Sequence, residues 1–187
     1  MLDALIKKNR SYRRFDASVE ISREELRSMI DAARCSASTA NRQRIRFAFV
    51  NEREICDSLF PAIKLAGYLK DWAGPSENER PTAYIALMHK EESIDTNLAI
   101  DMGIAAQSIL LTATEMGYGG CMIRSFNADT FDKILDKGEY KTALVIILGK
   151  PCERAYITSV ENGDIKYFRD ERDDHAVPKF ALEDVII

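Results

Sequence analysis

A cluster of basic residues lies near the N-terminus. Arg10, Arg13 and Arg14 fall within the heptapeptide NRSYRRF, which also holds Ser11. Guanidinium and hydroxyl groups are donors that bind phosphates and carboxylates, and arginine can do so through two parallel hydrogen bonds. The cluster therefore indicates a site for an anion. A solvated basic patch is the alternative that the segment alone leaves open.

The chain otherwise offers few groups for catalysis or metal binding. It holds two histidines and four cysteines, and no two cysteines have C-x-x-C spacing, so a zinc site is poorly supported. The sequence has no recognisable Ser-His-Asp, Cys-His or paired-carboxylate arrangement. We therefore expect no bound metal and no catalytic side chain.

The composition fits a globular domain, which we expect to span residues 1–187. Hydrophobic residues make up 46% of the chain and charged residues 30%, and the length suffices for one sizeable core. The formal net charge of −4 disfavours a nucleic-acid binder, since such domains usually carry a basic total. A local basic cluster on an acidic chain suits a small anion better.

Membrane and secretory segments are not expected. The start of the chain lacks the apolar core and small-residue cleavage site of a signal peptide. The most apolar long segment, residues 94–116, is interrupted by Asp101, Gln107 and Glu115, which a membrane span would not readily accept. Cysteines at isolated spacings are typical of reduced packing residues. We expect a cytoplasmic protein with neither a nucleic-acid nor a membrane partner.

Capping residues and hydrophobic periodicity predict the elements that must position the basic cluster. Ser22 and Glu25 form a capping box at the start of an amphipathic helix. Residues 45–51 alternate as in a half-buried strand. Residues 82–88 are almost continuously apolar, as in a central strand, and residues 143–148 are the strongest strand of the chain.

The longest predicted helix covers residues 94–116 and is apolar nearly all round. It would run about 34 Å, at about 1.5 Å per residue, which is more than one chain of this size can wrap completely. We expect a buried core helix that also faces a second subunit. Gly117 should end it in a left-handed conformation, and Asn127 should cap the short helix that follows.

The C-terminal part is predicted to be extended. Residues 157–168 should form a hairpin around an Asn162-Gly163 type I′ turn, and the apolar run at residues 180–187 should be a strand that a partner chain covers. No Gly-rich phosphate loop supports a doubly wound fold. The predicted fold class is α+β, with a mixed sheet packed by helices.

Five segments, in order along nearly the whole chain, resemble motifs of the nitroreductase family of flavin-dependent oxidoreductases. They are NRSYRRF (9–15), SASTANRQR (36–44), ILLTATEMGYGGCMI (109–123), ALVIILGKP (143–151), and VPK (177–179) with its apolar tail. The resemblance implies a nitroreductase-like fold and a homodimer that binds FMN at the subunit interface. It also implies that the C-terminal tail reaches the partner subunit.

The resemblance implies which residues bind the FMN phosphate. Arg10 and Ser11 match the N-terminal motif, and Lys179 matches the position at which the family often brings a late basic residue to the phosphate. Asn9 takes the place of the family's first arginine, which either weakens the phosphate site or shifts its burden to Arg10 and Lys179. The family proline that follows N-x-Q is Arg44 here.

Other matched positions would contact the isoalloxazine ring. Arg13 would be the cation beside the N1–C2=O2 end, which becomes anionic on reduction. Asn41 and Gln43 would reach the flavin that is bound mainly by the other subunit. Backbone N–H groups of Arg124 or Ser125 would lie near N5.

The function that the resemblance implies is an FMN-dependent oxidoreductase with a ping-pong cycle. NADH or NADPH would deliver a hydride, and a nitroaromatic, a quinone or a similar small acceptor would then be reduced. One alternative is a flavin-binding reservoir or sensor without turnover. Another is a flavin-free helical interaction module that responds to anions through residues 10–14.

Overall fold

The computed structural model describes residues 2–187, and within them the larger sheet holds five strands. In chain order these are β1 (Phe15–Asp16), β2 (Arg46–Val50), β3 (Ala83–His89), β4 (Gly119–Ile123) and β5 (Lys141–Pro151). Strand β5 pairs with β3, β4 and β1, and β2 pairs with β3, every pairing being antiparallel. Strand β5 runs past the predicted end at residue 148 because Gly149 pairs with β4, and Lys150 and Pro151 pair with β1. Pro151, which lacks an N–H, stands at the last position of the ladder, where proline is tolerated.

Helices cover both faces of this sheet. In chain order they are α1 (Leu2–Lys8), α2 (Arg23–Arg34), α3 (Arg53–Leu59), α4 (Thr96–Glu115) and α5 (Ala128–Leu135). Helices α2 and α4 pack on one face, and α3 and α5 pack on the other. The arrangement confirms the predicted α+β class.

Alternate residues of the central strands enter opposite cores. Ile85 and Leu87 of β3 lie in the core with α2 and α4, whereas Tyr84 and Ala86 lie in the core with α3 and α5. A strand buried on both faces has no polar face to alternate with, which explains its continuous apolar run. Strand β2 was predicted to be half-buried, but it too has apolar contacts on both faces, through Phe47, Phe49, Ala48 and Val50.

The helix ends follow their local sequence signals. The hydroxyl of Ser22 accepts a hydrogen bond from the Glu25 backbone N–H at 3.2 Å, and the Glu25 carboxylate accepts one from the Ser22 N–H at 2.9 Å. The side-chain oxygen of Asn127 accepts from the Thr130 N–H at 3.0 Å. Gly117 follows α4 with φ of +85°. These ends confirm the predicted caps.

Gly120 is enclosed by the structure around β4, and a larger residue would not fit. A Cβ atom at this position would lie 2.5 Å from the Ile147 carbonyl oxygen and 2.8 Å from Leu110 Cδ2. We expect Gly120→Ala to lower the free energy of unfolding by about 1–3 kcal/mol, because neighbouring backbone must move. Urea denaturation measures this loss. Gly67→Ala, where a Cβ meets nothing within 4 Å, is the control, and equal stability of the two variants would contradict the prediction.

A smaller sheet follows β5. It contains β6 (Ala155–Ser159), β7 (Phe168–Arg169) and β8 (His175–Lys179), with β8 in the middle, parallel to β6 and antiparallel to β7. The predicted hairpin is therefore wrong. Asn162 and Gly163 do form a tight turn with positive φ angles of 51° and 76°, but only the bridge between Glu161 and Asp164, which flank the turn, continues it. Strand β6 instead pairs with β8 through five residues.

The predicted C-terminal strand is also wrong. Residues 182–184 form a 3₁₀ turn, and no strand lies in the segment 180–187 of the described chain. Phe180, Leu182, Val185 and Ile186 are each more than half exposed. An apolar run becomes a strand only when a neighbouring edge can pair with it, and none of the described strands does so.

Helix α4 leaves one stripe of its surface uncovered. The stripe consists of Ile100, Gly103, Ile104 and Gln107, which follow one another at helical spacing and are all exposed. The opposite side is buried in the core, as predicted for a core helix. Among residues 2–187, no helix has the length and apolar character that crossing a membrane requires.

Candidate anion-binding site

A cavity of about 280 Å³ lies where the segment after α1 meets α4, β4 and β8. We call it the basic cavity. The residues that line it are Ile6, Asn9, Arg10, Ser11, Arg13, Gln107, Leu110, Met122, Tyr167, His175, Val177 and Lys179. The set includes arginine and lysine side chains, and no aspartate or glutamate belongs to the described lining. The cavity therefore has a positive charge that its own walls do not neutralise.

Arg13 is the most buried cation of the cavity, with 7% of its surface exposed. Its Nη1 donates to the Ser11 carbonyl oxygen at 3.1 Å and contacts Nε2 of His175 at 3.0 Å. The guanidinium also lies over the Tyr167 ring, 4.6 Å from its centre. Each of these partners is neutral, and within residues 2–187 no carboxylate pairs with the Arg13 guanidinium. A buried charge in this state costs free energy unless a ligand compensates it.

Glu153 lies close to Arg13 but neutralises a different residue. Its side chain is 3% exposed, and it accepts hydrogen bonds from the backbone N–H groups of Arg13 and Arg14. Its other oxygen pairs with Arg169 at 2.5 Å. The carboxylate thus fixes the backbone of the segment, and its charge is matched by Arg169. The Arg13 guanidinium keeps its own charge.

The other cations enter from neighbouring elements. Arg10 follows α1, its Nη2 donates to the Ile6 carbonyl oxygen at 2.7 Å, and burial lowers the pKa of its guanidinium below the usual value. Ser11 is aligned by a bridge to Gly120 of β4. Lys179 ends β8 and is exposed. All three residues line the same cavity.

Two of the predicted ring contacts, Asn41 and Gln43, lie away from the basic cavity of their own chain. Gln43 lines another cavity, of about 320 Å³, beside α2 and α4, and both residues are exposed. Their segment is unusual because Ala40, Asn41 and Gln43 have positive φ angles of 49°, 53° and 49°. Backbone strain of this kind is often found at functional sites.

Helix α4 and the residue that caps it, Asp95, hold this strained segment at both ends. The buried carboxylate of Asp101 accepts hydrogen bonds from the Thr39 N–H at 2.8 Å and hydroxyl at 2.9 Å. Arg44 forms two hydrogen bonds with Asp95, at 2.8 and 3.0 Å, and this contact holds the pKa of the Asp95 carboxyl well below its usual range. An ion pair thus fixes the chain at the position where the family motif has proline.

Arg124 and Ser125 line a third cavity, of about 660 Å³, together with Lys64 and Thr130. The Ser125 carbonyl oxygen accepts a hydrogen bond from the Lys64 N–H at 2.8 Å, which fixes the segment after β4. A single chain therefore brings together Asn9, Arg10, Ser11, Arg13 and Lys179 and leaves the other predicted residues elsewhere. Their contact with a flavin stays a prediction.

Sequence reasoning missed His175 and Tyr167. The rings of the two residues lie 5.1 Å apart, and both line the basic cavity. A signal was present, because alternate residues of a strand share one face and His175 and Val177 precede Lys179 at that spacing. The assignment of Lys179 to an anion site could have been extended along β8 to His175.

Comparisons with known proteins point to one family. The model of the nitroreductase family matches residues 6–150. The chain is 24% identical over 190 residues to a Bacillus subtilis (strain 168) protein named "Putative NAD(P)H nitroreductase YdgI", covering 81% of this chain and 89% of that one. A nitroreductase family protein from Clostridium novyi NT is 25% identical, with 81% and 86% of the two chains covered and a TM-score of 0.66.

A further solved structure has the same fold. It is a protein from Exiguobacterium sibiricum 255-15 that was crystallised in complex with FMN. It is 20% identical to this chain, with 86% and 92% of the two chains covered and a TM-score of 0.68.

Proposed function

The chain belongs to the nitroreductase family, and from this membership we propose that it is an oxidoreductase that binds FMN in the basic cavity. The observation that carries the proposal is the buried Arg13, whose charge no described carboxylate neutralises. The basic cavity fits FMN because that cofactor is anionic at its phosphate and again at its ring when reduced. The FMN-bound relative of the same fold supports this choice.

The residues of the basic cavity have two roles in this proposal. Arg10, Ser11 and Lys179 hold the phosphate, with a guanidinium, a hydroxyl and an ammonium group as donors. Arg13 would lie beside the N1–C2=O2 end of the ring, where its positive charge would favour the reduced form and raise the reduction potential. Bound FMN would accept a hydride from NADH or NADPH and pass electrons to a nitroaromatic, a quinone or a similar small acceptor. No side chain needs to react in this scheme.

We propose further that the functional unit is a homodimer in which each chain, residues 1–187, forms one domain. A cavity of about 280 Å³ lies just below the range of about 300–1,000 Å³ for ligand pockets, which supports a site whose wall a second chain completes. Gln107 belongs both to the lining and to the exposed stripe of α4. A second subunit on this stripe would close the cavity and could bring its own Asn41 and Gln43 to the ring. The same contact would give the exposed C-terminal tail a surface to cover.

Cytoplasmic location is part of the proposal. Free Cys35 and Cys152 are exposed, and such thiols persist in a reducing compartment. The overall negative charge is consistent with a protein that has no nucleic-acid partner.

The test is rapid mixing of the FMN-loaded protein with NADH and, separately, with NADPH in the absence of oxygen. We expect fast bleaching of the flavin absorbance with at least one of them and recovery when a nitroaromatic or a quinone is added. Failure of the purified chain to retain FMN would overturn the proposal.

A flavin-binding protein without turnover is the second candidate. Asn9 favours it, because this buried residue supplies no charge where the family has its first arginine. If this candidate is correct, the protein in the same experiment retains FMN, and neither NADH nor NADPH bleaches the flavin absorbance.

A further inference from the structure

We propose that His175 is a positioning residue that fixes the direction of the Arg13 guanidinium while leaving its positive charge unneutralised. The inference rests on the proposed function, because its purpose is to present a fixed cation to the anionic end of FMN. It concerns a residue that the five family-like segments do not contain.

The contact between the two residues determines the state of the imidazole. Arginine has donors and no acceptor, and it keeps its proton in proteins. Nε2 of His175, 3.0 Å from Arg13 Nη1, must therefore accept the hydrogen bond. A neutral imidazole that accepts at Nε2 carries its proton on Nδ1. His175 is thus an acceptor for Arg13 only when it is uncharged.

The surroundings of His175 keep it uncharged. The residue is 1% exposed, its ring packs against Tyr167, and Arg169 lies nearby in addition to Arg13. Burial, followed by these two arginines, lowers the pKa of His175 to about 4. Nδ1 is buried without a hydrogen-bond partner in the described chain, so its N–H is unsatisfied there.

A neutral acceptor holds Arg13 without cancelling its charge, which a carboxylate could not do. A carboxylate at position 175 would hold Arg13 equally well, but it would cancel the charge that the cavity presents. Glu153, the nearby buried carboxylate, is occupied by backbone N–H groups and by Arg169. Arg13 is therefore fixed by a residue that does not neutralise its charge.

The strand that carries His175 is suited to this role. The residue begins β8, where it pairs with Ala155 of β6 and Arg169 of β7, and its N–H donates to the Arg154 carbonyl oxygen at 2.8 Å. Lys179 lies on the same face at the other end of β8. Strand β8 thus positions Arg13, the cation proposed beside the ring, through His175. It also supplies Lys179, a cation proposed at the phosphate.

Three substitutions distinguish the possible roles of His175. His175→Gln retains an acceptor at a similar distance, His175→Phe retains an aromatic ring without an acceptor, and His175→Glu adds a neutralising charge. FMN affinity and the reduction potential of the bound flavin are measured for each variant, and the free energy of unfolding checks that each is folded. His89→Gln, at the other histidine of the chain, is the matched control.

We expect His175→Gln and His89→Gln to retain FMN affinity within about threefold of the parent protein, since the bond to Arg13 is kept or untouched. His175→Phe should lose about tenfold, the effect of one hydrogen bond to a charged group. His175→Glu should lose more and should also lower the reduction potential. Equal affinity and potential for the Gln, Phe and Glu variants would overturn the inference.

Nitrogen NMR of the cofactor-free protein separates this inference from the proposed function. At neutral pH, His175 should be uncharged with its proton on Nδ1, whether or not FMN proves to be the ligand. A charged ring, or a proton on Nε2, would overturn the role of His175. If the parent chain does not bind FMN, the proposed function fails, but the NMR result still decides the contact with Arg13.

Discussion

Arg13→Met is expected to weaken the binding of oxidised FMN by about 1.5–3 kcal/mol, the value typical of a hydrogen bond from a charged group, because the ring end beside Arg13 becomes anionic only on reduction. The same substitution should change the free energy of unfolding of the cofactor-free protein by only about 1 kcal/mol. The reason is that the Arg13 guanidinium has no carboxylate to leave unpaired, while Glu153 binds the backbone N–H of this position. Flavin fluorescence titration and urea denaturation measure the two effects.

Arg169→Met is the matched control, and it should show the opposite profile. Arg169 pairs with Glu153, whose side chain is 3% exposed, so its removal leaves a buried carboxylate without a cation to match its charge. We expect the free energy of unfolding to fall by about 3–5 kcal/mol. If Arg13→Met destabilised the cofactor-free fold as much as Arg169→Met, or bound FMN normally, the assignment of Arg13 would be wrong.

Ile104→Glu is expected to separate the proposed dimer and to abolish FMN binding at the same time. Ile104 is 39% exposed on the stripe of α4, so a glutamate costs little in the isolated chain. In a dimer that covers the stripe, the carboxylate would be buried without a partner, and the dissociation constant should rise by about 100-fold or more. Light scattering coupled to size-exclusion chromatography reports the mass, and flavin absorbance reports the cofactor.

Ile165→Glu makes the same chemical change at a position that is 53% exposed and lies outside the stripe. This variant should remain dimeric and should retain FMN. A dimer of Ile104→Glu with bound FMN would show that the two chains meet on another surface. A monomer that still bound FMN would show that one chain suffices to form the site.

Local signals in the sequence predicted much of the fold. The capping box of Ser22 and Glu25 and the cap at Asn127 depend on residues within one helical turn, so their physics is visible in the sequence. The apolar run of β3 predicted a central strand because burial on both faces leaves no polar positions. Arg10 and Arg13 were assigned to an anion site through their match to a family motif, because the cluster alone also fitted a solvated basic patch.

Features that depend on distant partners could not be predicted in this way. Asn162 and Gly163 form their turn, but the strand beside β6 is β8, which arrives later in the chain and provides a longer ladder. Strand alternation could have placed His175 on the face of Lys179, but its contact with Arg13, 162 positions away, depends on the fold. The contacts of Asn41 and Gln43 with a flavin depend on a second chain, which no pattern within one chain specifies.

Titration of the cofactor-free protein with FMN and with riboflavin tests most directly whether the cations of the basic cavity hold an anionic cofactor. The two ligands share the ring and differ in the phosphate. The structure predicts stoichiometric binding of FMN and an affinity for riboflavin lower by about 30-fold or more, because Arg10, Ser11 and Lys179 lose their charged partner. Equal affinities for the two ligands, or no binding of FMN, would contradict the account.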